Sequence, residues 1–89
     1  VRRVLLRPSA FARDLKTWVK SRPGAAGSVE AALEQLSADA AHPSLRSHKL
    51  RGRWACSVGY DLRIVYEFVQ HEGAEAILLL TVGTHDEVY

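Results

Sequence analysis

The chain has little cysteine: Cys56 is alone among 89 residues. A lone thiol cannot close an internal disulfide, which excludes the cross-linked scaffolds that hold many small secreted domains together. No apolar run nears the roughly 20 residues needed to cross a bilayer. The basic N-terminus is not followed by the long apolar stretch of a secretory signal, and a cytoplasmic protein is the default expectation. Metal-ligand spacings such as His-x-x-x-His or Cys-x-x-Cys are missing, so no metal and no other cofactor is expected. Gly24-Ala25-Ala26-Gly27 lacks the Lys-Ser/Thr that completes a phosphate loop. No nucleophile elbow surrounds Ser57. Internal repeats, low-complexity segments and interdomain linkers are also missing, so residues 1–89 read as one domain.

What is present is an ordinary globular composition, 47% hydrophobic and 25% charged, with charge unevenly spread. The net charge of +2 divides into +6 over residues 1–22, −3 over 23–39, +4 over 40–60 and −5 over 61–89. Such segregation suits a polyanion or an acidic partner meeting one region, and residues 42–53 combine cations with histidine.

Residues 2–6 read as a short strand before Pro8. Ser9 is a candidate helix N-cap, after which Phe11, Leu15, Trp18 and Val19 recur at helical spacing. Pro23-Gly24 stops that helix. A second helix is predicted from near Ser28 to about residues 40–42, with Val29, Ala32, Leu33 and Leu36 as its apolar stripe and Glu30 in its first turn. Trp18 and Cys56 are expected in the core.

Residues 53–58 and 62–69 alternate, and Gly59-Tyr60-Asp61 between them reads as a hairpin loop. Opposing Val58 to Leu62 sets Cys56 against Ile64 and Trp54 against Tyr66, a face that with Phe68 packs on the helices. The other face opposes Ser57 to Arg63 and pairs Arg53 with Glu67; a one-residue slip would bury Arg63 and Glu67. After a turn at His71-Glu72-Gly73, the run 76–82 reads as a central strand covered on both sides, and the tail leaves the sheet at Gly83. The fold predicted is α+β: an N-terminal strand and a helical hairpin on one face of a small, twisted, mainly antiparallel four-stranded sheet. Val65, Val69, Ile77 and Leu79 are placed on the uncovered face as an apolar stripe, which usually means another chain covers it.

Singly, the polar residues say little. His42 and His71 read as surface or turn residues, and a plain turn role is the lesser alternative for Asp61. As a set, Leu45-Arg46-Ser47-His48-Lys49-Leu50-Arg51-Gly52, Tyr60-Asp61-Leu62-Arg63-Ile64-Val65-Tyr66 and Gly83-Thr84-His85-Asp86-Glu87-Val88-Tyr89 are more specific. With them the chain resembles the RelE/ParE toxin superfamily of bacterial type II toxin–antitoxin systems, and within it the YafQ branch of messenger-RNA interferases. The resemblance runs along essentially the whole chain and implies a RelE-like fold, a cognate antitoxin as partner, and endoribonuclease activity on mRNA in the ribosomal A site.

It also implies roles. His48 matches the histidine of a His-Pro-Leu-x-Gly motif, with Lys49 where proline is usual. Asp61, Arg63, His85 and Tyr89 match the remaining catalytic positions. A second central histidine of the branch falls at Ser57, and an arginine before Gly-Thr-His falls near Thr81. Metal-free cleavage uses the 2′-hydroxyl against the adjacent phosphorus and needs a base, an acid and cations. Histidine, with an unperturbed pKa of about 6.5, serves as either acid or base near neutrality. His48 and His85 are the expected pair, with the division of labour open. Arg63 would hold the phosphate, helped by Lys49, Arg51, Arg53 and Ser57 along the RNA; Asp61 would orient a histidine or assist the base, and Tyr89 would stack on a nucleobase or orient the phosphate. The alternatives are a non-catalytic ParE-like toxin that inhibits DNA gyrase, and a degenerate interaction module.

Overall fold

A computed structural model describes residues 2–59 and 62–84. Strand β1 (Val4–Leu6) leads into α1 (Ser9–Lys20) and α2 (Ala25–Ala38). A 3-10 turn at Pro43–Leu45 follows, then β2 (His48–Leu50), β3 (Arg53–Val58), β4 (Leu62–His71) and β5 (Ala74–Thr84). The strands form one sheet in the order β1-β5-β4-β3-β2, so the chain is α+β with five strands rather than four. The extra strand is β2, three residues long and too short to show an alternating pattern. β1 lies parallel to β5, with Leu5 opposite Ile77, while the other pairings are antiparallel.

The β3–β4 register is the expected one: Trp54 opposes Tyr66, Cys56 opposes Ile64, Ser57 opposes Arg63 and Val58 opposes Leu62. No ion pair joins Arg53 to Glu67, and the described ladder ends at Trp54. The core is built from Phe11 and Trp18 of α1, Val29, Leu33 and Leu36 of α2, and the inward residues of β3, β4 and β5, Cys56 among them. Trp18 carries the Arg22 guanidinium over its ring at 4.0 Å, a cation–π contact that caps the end of α1.

The helix boundaries moved. Ser9 is the first helical residue of α1 rather than its cap, a place Pro8 takes without a side-chain hydrogen bond. α2 begins at Ala25 because Gly24 turns through φ 87°, a left-handed conformation that glycine enters without steric cost. Glu30 is therefore beyond the first turn, and its carboxylate accepts from both Nη atoms of Arg7 at 3.0 and 3.1 Å. Arg2 pairs with Glu34 and Arg3 with Glu75, each at 2.7 Å. Three of the seven cations of residues 1–22 are thus paired with acids of α2 and β5.

The largest correction concerns β5. Val65 opposes Thr81 and Tyr66 opposes Leu79, which leaves Leu80 as an extra residue in a β-bulge. The bulge reverses the facing of β5: Ile77 and Leu79 point into the core before it, and Val82 points in after it. Ile77 and Leu79, expected on the uncovered face, are fully buried, and Val65 is 4% exposed. Val65 and Val69 do lie on that face, buried and half-buried, so the stripe keeps two of its four residues and is not exposed; among the described residues the exposed large hydrophobic is Val4, on the edge strand. The bulge puts Ile77, Leu79 and Val82 of the run 76–82 on the core side, while Ala76, on the opposite face, is also buried. Gly83 also stays in the sheet, opposite Arg63.

Candidate functional site

Directly opposed residues in a sheet share a face, so the ladders specify what lies beside what on the side away from the helices. One row crosses four strands as His48, Ala55, Val65 and Thr81. The next row holds Ser57, Arg63 and Gly83. Directly opposed Cβ atoms lie roughly 5 Å apart and diagonal neighbours about 7–8 Å apart. Ser57 therefore sits between His48, its diagonal neighbour, and Arg63, its direct one. Ala55 and Gly83 are small and buried, so the surface between these groups is recessed.

His48 is exposed at the start of β2. Its ring meets the Arg46 carbonyl, 3.4 Å from Nδ1. A carbonyl only accepts, so this contact is a hydrogen bond in the tautomer that carries the proton on Nδ1. Arg63 is half-buried, with Nη1 donating to the Leu62 carbonyl at 3.1 Å, a contact that steadies the guanidinium. Lys49 opposes Trp54 and so belongs to the helical face, away from His48. Arg51 sits in the β2–β3 turn at φ 21°, and Arg53 is exposed at the start of β3. Asp61, His85 and Tyr89 lie outside the described residues.

One residue enters the site that the sequence reading counted only as charge. Arg46 follows the 3-10 turn with φ 48°, a left-handed conformation uncommon for a side chain other than Gly, Asn or Asp. With Ser44, Ser57 and Gly59 it lines a cavity of about 530 Å³ at the edge of β3. Leu45, buried at 2% exposure, anchors the turn that holds Arg46 there. Backbone handedness and that anchoring depend on the packed core, and nothing in the local pattern shows them.

Among the described residues, no ion pair involves Arg46, Lys49, Arg51, Arg53 or Arg63. Their charge is therefore available to an anion, in contrast to the paired arginines of the N-terminus. Among the same residues there is no group of three His, Cys, Asp or Glu that could hold a metal ion. No helix there is long and apolar enough to cross a membrane.

A family model described as the ParE toxin of type II toxin–antitoxin systems matches residues 4–89. No curated protein matches the chain significantly. Solved structures similar in fold include a YoeB/ParE toxin from Agrobacterium tumefaciens (12% identity, TM-score 0.74, covering 92% of this chain and 98% of that one). The E. coli DinJ–YafQ toxin–antitoxin complex also contains a similar chain (15% identity, TM-score 0.77, covering 100% and 99%). A copper-bound mutant toxin from Helicobacter pylori is 20% identical, with TM-score 0.70 and full coverage of both chains.

Proposed function

Because the chain belongs to the ParE toxin family of type II toxin–antitoxin systems, we propose that residues 1–89 form one RelE-like toxin domain whose sheet face away from the helices cleaves messenger RNA. The observation that carries this reading is the juxtaposition of His48, Ser57 and Arg63 on one face, bordered by cations that no acid neutralises among the described residues.

The chemistry is metal-free. A base takes the 2′-hydroxyl proton, the oxygen attacks the adjacent phosphorus, and an acid protonates the departing 5′-oxygen. The products are a 2′,3′-cyclic phosphate and a 5′-hydroxyl. His48, whose Nδ1 lies beside the Arg46 carbonyl, fills one of the two proton-transfer roles, and His85 the other. Arg63 neutralises charge that grows on the phosphoryl oxygens, at a place where such a group contributes about 10²–10³-fold in rate. Arg46, Arg51 and Arg53 hold neighbouring phosphates, and Ser57 donates to one. Asp61 orients a histidine, and Tyr89 stacks on a base. A small basic face holds single-stranded RNA weakly, so the substrate is mRNA presented in the ribosomal A site of the cytoplasm. The partner is a cognate antitoxin, as in the DinJ–YafQ complex.

The test is growth arrest on induction, with transcript ends mapped by primer extension for wild type, His48→Ala, Arg63→Ala and His85→Ala. New ends in the wild type, lost in the variants while antitoxin binding persists, support the reading. Full cutting by His48→Ala and His85→Ala contradicts it.

A second reading is favoured by the family model, whose description names ParE, and by a serine at 57 where the nuclease branch carries histidine. There the toxin binds and inhibits DNA gyrase without cutting RNA. Growth arrest with intact transcripts and relaxed plasmid DNA selects it.

A further inference from the structure

The opposite face of the sheet carries a second cavity, of about 490 Å³, beyond the region that α1 and α2 cover. Its floor is Trp54, Tyr66 and Phe68, and its wall runs from Asp39 through Ser47. Trp54 and Phe68 meet edge to face at 6.2 Å and Tyr66 and Phe68 at 5.7 Å. Tyr66 is buried, and its hydroxyl donates to Ser47 Oγ at 3.2 Å. Ser47 in turn donates to the Ala40 carbonyl at 3.3 Å. Wall and floor are thus tied together, and the cavity is preformed rather than a gap that side chains could close. Trp54 and Phe68 remain only partly buried, and Arg3 occupies one face of Phe68 at 5.2 Å.

Arg46 lines this cavity as well as the one beside Ser57. It stands at the divide between the aromatic floor and the face that carries His48 and Arg63, and it takes part in no ion pair among the described residues. Lys49, directly across from Trp54, adds a second cation on the aromatic side. A partly exposed ring, nearby cations and a wall of hydrogen-bonding groups (the His42 ring, Ser47) are what a single strand of nucleic acid requires: a stacking platform with charge beside it.

We propose that the Trp54–Phe68 cavity binds a nucleobase of single-stranded RNA, with Arg46 holding the phosphodiester that joins this nucleotide to the strand on the Ser57–Arg63 face. The proposal rests on the RNA reading of that face and adds a subsite around the β3 edge. An apolar side chain of a protein partner would also fit the floor. RNA is favoured because the same cation, in no ion pair among the described residues, borders both cavities.

The experiment titrates the whole chain with a 2′-O-methyl RNA hexamer, which cannot be cleaved, and follows tryptophan fluorescence in the Trp18→Phe background so that Trp54 alone reports. Quenching is expected. Trp54→Leu should weaken hexamer binding, measured by anisotropy, about five-fold or more, the ratio given by ~1 kcal/mol of lost stacking. Arg46→Asn, a residue that tolerates the left-handed backbone, should weaken it similarly without touching the core. Arg13→Ala, on the outer face of α1, should leave it unchanged. Unquenched Trp54 with undiminished affinity in both variants overturns the proposal, as does quenching by an acidic peptide with an apolar anchor but not by RNA. If wild type cuts RNA while Trp54 is silent, the subsite fails and the nuclease reading stands. If RNA quenches Trp54 but is never cut, the nuclease reading fails and the subsite stands.

Discussion

Removing Leu80 should cost this protein little, although a one-residue deletion inside a strand ordinarily turns every later side chain to the wrong face. Leu80 is the unpaired residue of the bulge, between Leu79 opposite Tyr66 and Thr81 opposite Val65. Without it Thr81 follows Leu79 directly, Val65 still meets Thr81, and Ile64 still meets Val82. Every residue from Ala74 to Leu79 and from Thr81 to Thr84 keeps its partner and its face. The loss is the partial burial of one leucine, offset by a regular ladder hydrogen bond of about 1 kcal/mol, so the net change should stay within about 2 kcal/mol. Removing Ile77 is the control. Ala76 would then move into the core position opposite Phe68, which leaves an Ile-to-Ala hole of about 2–5 kcal/mol and slips the β1 pairing as well. For a domain stable by roughly 5–15 kcal/mol, that difference separates a folded protein from a marginal one. Urea denaturation followed by tryptophan fluorescence measures both. Equal losses for the two deletions would show that Leu80 is not the extra residue.

Burial pushes the Cys56 thiol up to about 12, so iodoacetamide at pH 8 should leave the native protein unlabelled and modify it only in denaturant. Because the folded thiol keeps its proton where the unfolded one, at 9.0, has lost it, stability should fall as pH rises from about 9 towards 12. Hydrogen bonds from Arg7 hold the Glu30 carboxyl below its ordinary value. The pair's contribution is present at neutral pH and lost as pH drops below 4.5 through the lowered folded-state value; for so exposed a pair it is about 0.5 kcal/mol. Glu30→Gln should lower the urea midpoint at pH 7 and leave it unchanged at pH 3. Ser57→His, between His48 and Arg63, should raise mRNA cleavage about ten-fold if a third imidazole joins the proton transfers; an unchanged rate in primer extension would remove position 57 from the chemistry.

Resemblance carried the superfamily, and alternation carried the hairpin. Trp54, Cys56 and Val58 against Tyr66, Ile64 and Leu62 could be matched because a short turn leaves few registers and only one buries apolar groups alone. The same reasoning failed in β5, where a continuous apolar run has no phase from which a bulge could be read. His48, Ser57 and Arg63 could be named in advance, yet that Lys49 turns to the opposite face required the β2–β3 pairing. Arg46 was visible only as a charge, since its left-handed backbone, next to the buried Leu45, has no signal in the local pattern.

By itself the sequence determined the two helical stripes, the hairpin register and the residue types of the candidate site, because those depend on neighbours a few positions apart. The tertiary structure decided that β1 lies beside β5, that the first arginines pair with acids of α2 and β5, and that Leu80 bulges. It also decided that the two cavities share Arg46. These are contacts between distant segments, selected by which packing leaves the fewest apolar groups in water and the fewest charges unpaired, and no local pattern encodes that comparison.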